Sequence, residues 1–303
     1  MSAKPWVVAL LVVMLLDAVG HAEVTQVTRI PVFELRRDGD TAGYLVGTMH
    51  SDDPRVMANL VRIMPLIERV DRLAIEIVPD GLAMLAIGAA TLLPAGERLS
   101  DRVGPARSAA LSEAARVRGL PPDAIDRLKP WAAAITLGMP ALTGDQVLDT
   151  AVYLAALERG LGVVGLETAS EQIRVFDDMS DALQLQLLDA TINNAEVLPM
   201  QLEALTAAYL SGDVAQIEQV VRTQYDEVSL ALQNWVKKTL VDRRNATMLD
   251  RALPLFDDAR VLIAVGAMHL GGARGLIEGL RQSGFEVTPL RGQGPTGAPE
   301  APE

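Results

Sequence analysis

Two apolar runs of the same form constrain the fold of this chain more than any other feature. Residues 261–269 read Val-Leu-Ile-Ala-Val-Gly-Ala-Met-His, and residues 44–50 read Tyr-Leu-Val-Gly-Thr-Met-His. Uninterrupted apolar runs of this length predict strands that are buried on both faces, as in the parallel sheets of α/β proteins. Ligands of open α/β sheets bind outside the carboxyl ends of the strands. We therefore expect His50 and His269, which end the two runs, to lie at one edge of a sheet.

The remaining strand and helix patterns alternate around these two runs. Two blocks with helical periodicity, punctuated by Pro and Gly, occupy residues 81–160 and 169–257. Shorter apolar runs predict four further strands, at residues 31–37, 73–78, 163–166 and 286–290. The pattern predicts a single α/β domain over residues 23–291. Its central sheet should be mixed or largely parallel, with a large helical insertion between the two Gly-x-x-His strands.

The two ends of the chain do not fit this domain pattern. Lys4 precedes an apolar stretch at residues 6–16, which predicts that residues 1–22 are a secretory signal peptide and that the protein is periplasmic. An uncleaved anchor is the alternative. The third histidine, His21, belongs to this segment. Residues 292–303 contain Gly, Pro and Glu without periodicity, and we expect them to be disordered.

The net charge and the missing motifs exclude several classes of function. A formal net charge of −12 disfavours nucleic acids and anionic membrane surfaces, because both are bound through clusters of basic residues. Beyond the signal segment, no run reaches about 18 uncharged apolar residues, so we expect no membrane embedding. The chain has no cysteine, which excludes disulfides and thiolate ligands. It also lacks His-Glu-x-x-His, Gly-x-Ser-x-Gly and Gly-x-x-x-x-Gly-Lys.

Two glutamates join the two histidines as candidate site residues. Glu76 lies within the predicted strand at residues 73–78, and Glu167 directly follows the strand at residues 163–166. Two imidazoles with one or two carboxylates form a catalytic site for zinc, manganese, cobalt or iron. Other roles remain open, because Glu76 could form a structural ion pair and Glu167 could cap the next helix. Each histidine alone could be a hydrogen-bonded core residue, but their shared context favours one site.

The order of several short motifs resembles that of the TraB/GumN family. Besides the two Gly-x-x-His boxes, the matching segments are Leu128-Lys129-Pro130-Trp131, Gly165-Leu166-Glu167-Thr168, Glu171-Gln172, Arg244-Asn245 and residues 275–287. The family is related to the Tiki metalloproteases, and more distantly to erythromycin esterases and a haem-binding periplasmic lipoprotein. The resemblance implies an α/β core with a helical insertion and a hydrolase site that holds a divalent metal.

Residue by residue, the resemblance implies a role for each matching position. His50 and His269 would be metal ligands, and Glu76 would be a ligand or the general base. Glu167 and Arg244 would be second-tier residues. Arg244 could bind an oxyanion or a substrate carboxylate, or it could lie on the wet face of its helix.

One departure from the family pattern concerns the middle of the chain. Many members have Asp-x-His-Leu where residues 148–153 read Leu-Asp-Thr-Ala-Val-Tyr, so a third histidine is missing. The predicted function is an exported, Tiki-like metal-dependent hydrolase that acts on a peptide or another small substrate. The alternatives are a periplasmic metal- or haem-binding protein without catalysis, and a helix-rich interaction module. Few aromatic residues, 4% of the chain, weigh against a haem pocket.

Overall fold

A computed structural model describes residues 29–140, 146–225 and 228–290. The six strands of its sheet are β1 (Val32–Arg37), β2 (Asp40–Thr48), β3 (Arg72–Ile75), β4 (Gly162–Gly165), β5 (Val261–Gly266) and β6 (Glu286–Pro289). Their order across the sheet is β4-β3-β5-β2-β1-β6. The first four strands in this order run parallel, and β1 pairs antiparallel with both β2 and β6. The sheet is mixed and mostly parallel, which confirms the predicted fold class.

Helices fill the chain between the strands. They are α1 (Pro54–Met57), α2 (Leu60–Ile67), α3 (Gly81–Thr91), α4 (Leu99–Val103), α5 (Pro105–Val117), α6 (Pro122–Ile125), α7 (Pro130–Gly138), α8 (Leu148–Glu158), α9 (Ala169–Asp177), α10 (Asp181–Asn194), α11 (Leu198–Ser211), α12 (Val214–Tyr225), α13 (Leu230–Trp235), α14 (Arg244–Ala252) and α15 (Leu276–Gln282). Helices α3–α8 lie between β3 and β4, and α9–α14 lie between β4 and β5. The predicted helical insertion between the two Gly-x-x-His strands is therefore confirmed.

The central strand β5 shows how the sheet is held. Leu262 and Ala264 belong to an apolar core on one face, together with residues of α2, α8 and α11. Val261 and Ile263 belong to a second core on the other face, together with residues of α14 and α15. Alternate side chains of a strand point to opposite faces, so both faces must be apolar when both are covered. This explains why the run at residues 261–265 has no polar position.

The neighbouring strands β2 and β5 approach each other closely at one point. Gly43 lies opposite Val261 in the parallel register. A Cβ atom at residue 43 would lie 2.0 Å from the Val261 carbonyl oxygen, which is far inside van der Waals contact. A residue without a side chain is therefore required where β5 enters the sheet beside β2.

Two helical segments differ from a regular α-helix. The amphipathic pattern after His50 predicts one helix to about residue 69, but the chain forms α1 and α2, separated at Ala58 and Asn59. The buried Asn59 donates its side-chain amide to the Arg55 carbonyl at 2.8 Å, which supports the break. Farther along, a π-helix at Val236–Arg243 joins α13 to α14. Each π turn takes up an extra residue, so it rotates the face that α14 presents to the sheet.

The described residues do not reach the ends of the chain. The predicted signal peptide at residues 1–22 and the predicted tail at residues 292–303 lie outside them. Within the three described ranges, every helix is too short or too polar to cross a lipid bilayer.

Candidate functional site

The two Gly-x-x-His boxes end neighbouring parallel strands. Thr48, the last residue of β2, lies opposite Gly266, the last residue of β5. His50 follows two residues later, and His269 ends the 3₁₀ turn Ala267–His269 directly after β5. Both histidines therefore follow the carboxyl ends of adjacent strands, about 4.8 Å apart, as the sequence predicts.

The glycine of each box lies in a close contact. A Cβ atom at Gly47 would lie 2.6 Å from the Leu270 side chain, and one at Gly266 would lie 3.1 Å from a Glu76 carboxylate oxygen. Gly266 also uses its backbone N–H, which donates to Glu76 Oε1 at 2.7 Å. The two glycines therefore allow the strand ends to pack against each other and against Glu76.

His269 is held in one orientation and one tautomer. Its side chain is 2% exposed, and its Nδ1 lies 2.6 Å from Asn245 Oδ1. The Asn245 amide nitrogen donates to the Arg274 carbonyl at 2.9 Å, which fixes the amide so that its oxygen faces the ring. An amide oxygen can only accept, so Nδ1 carries the proton and Nε2 keeps its lone pair. Nε2 lies 3.9 Å from Glu76 Oε1.

The surroundings of His269 keep its ring neutral. Burial lowers the pKa of His269 to about 4, with the nearby charge of Arg244 acting in the same direction and the Glu76 carboxylate opposing both. The ring is therefore uncharged near neutral pH. A neutral imidazole is the form that binds a metal or accepts a proton.

Arg244 joins Glu76 and Glu167 in a buried ion-pair cluster. Its Nη2 lies 2.5 Å from Glu76 Oε2 and 2.6 Å from Glu167 Oε2, and its Nε lies 3.0 Å from Glu167 Oε1. Gln172 also reaches both carboxylates, at 3.4 and 3.3 Å. The Arg244 side chain is 11% exposed and that of Glu167 is 3% exposed.

The contacts of this cluster bear on the alternative roles of three residues. Glu76 does form an ion pair, while it also touches Gly266 and lies near His269. Arg244 does not lie on a wet helix face. Thr168, not Glu167, caps α9.

The charges in the cluster keep Glu76 ionised. Burial by itself would raise the pKa of Glu76, but other effects outweigh it and lower the pKa to about 2. They are the charge of Arg244, the charge that His269 carries only at the low pH where Glu76 titrates, and the hydrogen bonds from Gly266 and Arg244. Burial likewise opposes the charge of Arg244, and the two glutamates reverse this effect and raise its pKa. Two carboxylates share one guanidinium, so the cluster has one excess negative charge.

His50 faces a different carboxylate, that of Asp149. His50 Nδ1 lies 3.3 Å from Asp149 Oδ2, and the His50 side chain is 8% exposed. Both ring nitrogens of His50 and the Oδ2 atom of Asp149 are buried without a hydrogen-bond partner. The other oxygen of Asp149 accepts a hydrogen bond from the Thr48 hydroxyl. Asp149 lies in the first turn of α8, whose first N–H, that of Leu148, donates to the Ser51 carbonyl at 3.3 Å.

The predicted site residues thus form two groups at the carboxyl edge. Glu76, Glu167, Arg244 and His269 form one group, and His50 pairs with Asp149. Within the described residues, no three His, Asp or Glu side chains stand in a ready-made metal-binding arrangement. The donor atoms themselves fit a divalent ion, because His269 presents a lone pair at Nε2 and the ring nitrogens of His50 are unbonded.

Sequence reasoning gave no role to three residues that contact these groups. Asn245 and Gln172 belong to the motifs that follow the family order, and only their neighbours Arg244 and Glu171 have obvious charges. Asp149 belongs to the segment that departs from the family pattern. A buried polar residue on an amphipathic helix would have been the signal for Asn245, which is 2% exposed.

Comparison with known proteins gives one match. The model of the TraB/PrgY/gumN family matches residues 31–289. The match begins just before β1, ends with β6, and includes every residue of the two groups. No curated protein and no solved structure matches the chain.

Proposed function

This chain belongs to the TraB/PrgY/gumN family, and on that premise we propose that it is a metal-dependent hydrolase that cleaves a peptide bond. The state of His269 carries the proposal. The Nδ1–H of His269 donates to the Asn245 amide oxygen, so the lone pair of the neutral ring is at Nε2. Metal-ligating histidines are commonly oriented in this way, by an acceptor that binds the other ring nitrogen.

In this proposal, His50 and His269 are the residues that hold the ion. Zinc, manganese, cobalt and iron all accept imidazole together with carboxylate and water. When bound, such an ion supplies Lewis acidity and lowers the pKa of a coordinated water. The unbonded ring nitrogens of His50 support its assignment as a ligand, because buried polar atoms in proteins normally have a partner.

The ion-pair cluster suggests how the other three residues act. Efficient general bases have a pKa near the working pH, and Glu76, with a pKa of about 2, is a weak base. We therefore favour Glu76 as a fixed anion that faces His269, and not as the residue that takes a proton from water. Arg244 holds both carboxylates in place, and its charge is available to a developing oxyanion only in part, since Glu76 and Glu167 share it.

The test is to measure bound metal and hydrolysis on the same preparations. The protein from residue 23 onward is purified without chelator, its metal content is measured by mass spectrometry, and turnover is measured on a broad panel of peptides and esters. His269→Ala should lower metal content and turnover together, because it removes a ligand. Asn234→Ala, at an exposed amide that bonds only within its own helix, is the control and should change neither.

Three results would contradict the proposal in different ways. Bound metal or haem without hydrolysis of any substrate would favour the binding protein. Hydrolysis that survives complete removal of metal would exclude a metal-dependent mechanism. A His269→Ala variant with unchanged metal content and turnover would exclude both the metal-dependent hydrolase and the binding protein that uses His269.

We also propose that residues 1–22 direct export to the periplasm, with cleavage before Glu23. The charged start, the short apolar stretch and the small residues near position 22 support this proposal. Peptide mapping of protein from a cell fractionation experiment tests it. Intact residues 1–22 in the mature protein would contradict it.

A further inference from the structure

We propose that Asp149 is the carboxylate ligand of a divalent cation and that it binds the cation together with His50. This inference rests on the proposed function and names a ligand that the sequence analysis did not predict. It replaces Glu76 in that role.

Two unbonded atoms of the pair, His50 Nδ1 and Asp149 Oδ2, lie next to each other. His50 Nδ1, His50 Nε2 and Asp149 Oδ2 are all buried and all without a hydrogen-bond partner, although Nδ1 and Oδ2 are only 3.3 Å apart. The side chains therefore lie close together without the alignment of a hydrogen bond. A neutral imidazole has one acceptor nitrogen in either tautomer, and an ionised carboxylate has only acceptors. A cation satisfies both kinds of atom at once.

The charge at this edge of the sheet fits a divalent ion. In the described part of the chain, no lysine or arginine forms an ion pair with Asp149. The cluster of Glu76, Glu167 and Arg244 adds one further excess negative charge. Counted with neutral imidazoles, the form in which histidine binds a metal, the two groups together have two excess negative charges. The Asp149 side chain is 35% exposed, but its Oδ2 atom is buried, and one divalent cation would compensate the charge of both groups.

Neighbouring residues hold the pair in place. The Thr48 hydroxyl donates to Oδ1 of Asp149, and the other carboxylate oxygen, Oδ2, is the one that lies near His50. The hydrogen bond from Leu148 to Ser51 ties the start of α8 to the residue after His50. The buried Tyr209 hydroxyl donates to the Gly47 carbonyl at 3.0 Å and fixes the end of β2. Well-supported side chains are a requirement for a metal site, because ligands must be held at defined distances.

The contrast with Glu76 decides which carboxylate is the ligand. Glu76 Oε1 accepts from Gly266, and Glu76 Oε2 accepts from Arg244 and Gln172. Asp149 has one oxygen bonded to Thr48 and one oxygen that is buried and unbonded. An ion can therefore bind Asp149 without displacing a hydrogen bond, and binding at Glu76 would compete with Arg244. His50 and Asp149 supply two ligands, which leaves positions for His269, water or substrate.

The experiment measures the affinity of the metal-free protein for Zn²⁺ by competition with a chromophoric chelator. Asp149→Asn keeps the shape of the side chain and an acceptor for Thr48 but removes the charge. It should lower the affinity by about 100-fold or more, since even residues that only orient a ligand contribute roughly 10- to 100-fold. Asp257→Asn is the control, because it removes the same charge from an exposed side chain and should leave the affinity unchanged. Glu76→Gln should retain more affinity than Asp149→Asn.

A second readout separates a lost ligand from a misfolded variant. Zn²⁺ should raise the melting temperature of the wild type, because a ligand of the native state stabilises it. Metal-free Asp149→Asn should melt no lower than the metal-free wild type, and Zn²⁺ should raise its melting temperature much less.

The possible failures can be distinguished. If the wild type and Asp149→Asn bind Zn²⁺ equally while His269→Ala does not, the role of Asp149 is wrong and the metal-dependent hydrolase stands. If Asp149→Asn keeps its affinity but loses turnover, Asp149 orients His50 and is not a ligand. If the wild type binds no divalent ion, both proposals fail together.

Discussion

Replacing the buried Arg244 by methionine should destabilise the protein more than the removal of any other single charge at the site. The methylene part of the side chain is kept, and the guanidinium between Glu76 and Glu167 is lost. Removing one partner of a buried ion pair costs about 3–5 kcal/mol, because the other charge remains buried. The depressed pKa of Glu76 agrees with this in direction, because Arg244 is the strongest of the groups that lower it.

The loss should depend on pH in a defined direction. The folded-state pKa of Glu76 is depressed, so its contribution to stability is present above about pH 4.5 and is lost as the pH falls toward about 2. Without Arg244 that contribution is absent, and two buried carboxylates oppose folding at neutral pH. The difference between wild type and Arg244→Met should therefore be largest near neutral pH and should narrow by roughly half near pH 3.

Urea unfolding followed by far-ultraviolet circular dichroism measures this difference at both pH values. Arg274→Met is the matched control, because that side chain is 75% exposed and lies 3.9 Å from Asp242. An exposed pair contributes at most about 1 kcal/mol. A loss below about 1 kcal/mol for Arg244→Met near neutral pH, or an equal loss at both pH values, would show that Arg244 does not compensate buried charge.

Three further changes test other contacts. Gly43→Ala should destabilise the sheet by several kcal/mol in the same unfolding assay, because the new Cβ would overlap the Val261 carbonyl and push β2 from β5. Asn245→Ala should lower Zn²⁺ affinity roughly 10- to 100-fold, because His269 loses the acceptor that fixes its tautomer. Thr168→Ala should cost about 1 kcal/mol of unfolding free energy, because it removes the side-chain cap of α9.

Each of these changes has a matched control. Gly81→Ala introduces a methyl group into open space and should be nearly neutral. Asn234→Ala should leave Zn²⁺ affinity unchanged, as above. Ser170→Ala removes a hydroxyl next to the cap that bonds only Arg174, and it should cost little. If a control changes the unfolding free energy or the Zn²⁺ affinity as much as its test variant does, the explanation given for that contact is wrong.

The sequence alone predicts the fold class and the placement of the two histidines, because both depend on local signals. An apolar run indicates a buried strand, and the residues that follow a parallel strand lie at the carboxyl edge of the sheet. The order of the strands is not local. The chain between β2 and β3 predicts parallel strands, and it contains no sign that β5 will insert between them.

The contacts of the site residues depend on similar long-range facts. Arg244 follows Asp242 and Arg243, and that charged context also fits an exposed helix face. A π-helix at Val236–Arg243 directly precedes Arg244 and Asn245, and its residues have no evident π signature. His50 and Asp149 meet only because α8 packs against the end of β2.

The position of β5 in the chain has a consequence for the order of folding. This strand lies in the middle of the sheet, between β2 and β3, and it is the last of the parallel strands to be synthesised. Until it arrives, β2 and β3 each have an unpaired edge, and pairing over such long sequence separations is slow and exposed to aggregation. The same step brings His269 and Gly266 to Glu76. A nascent or unfolded chain therefore has neither a continuous sheet nor an assembled candidate site, and the protein gains both in a single event when its last third is complete.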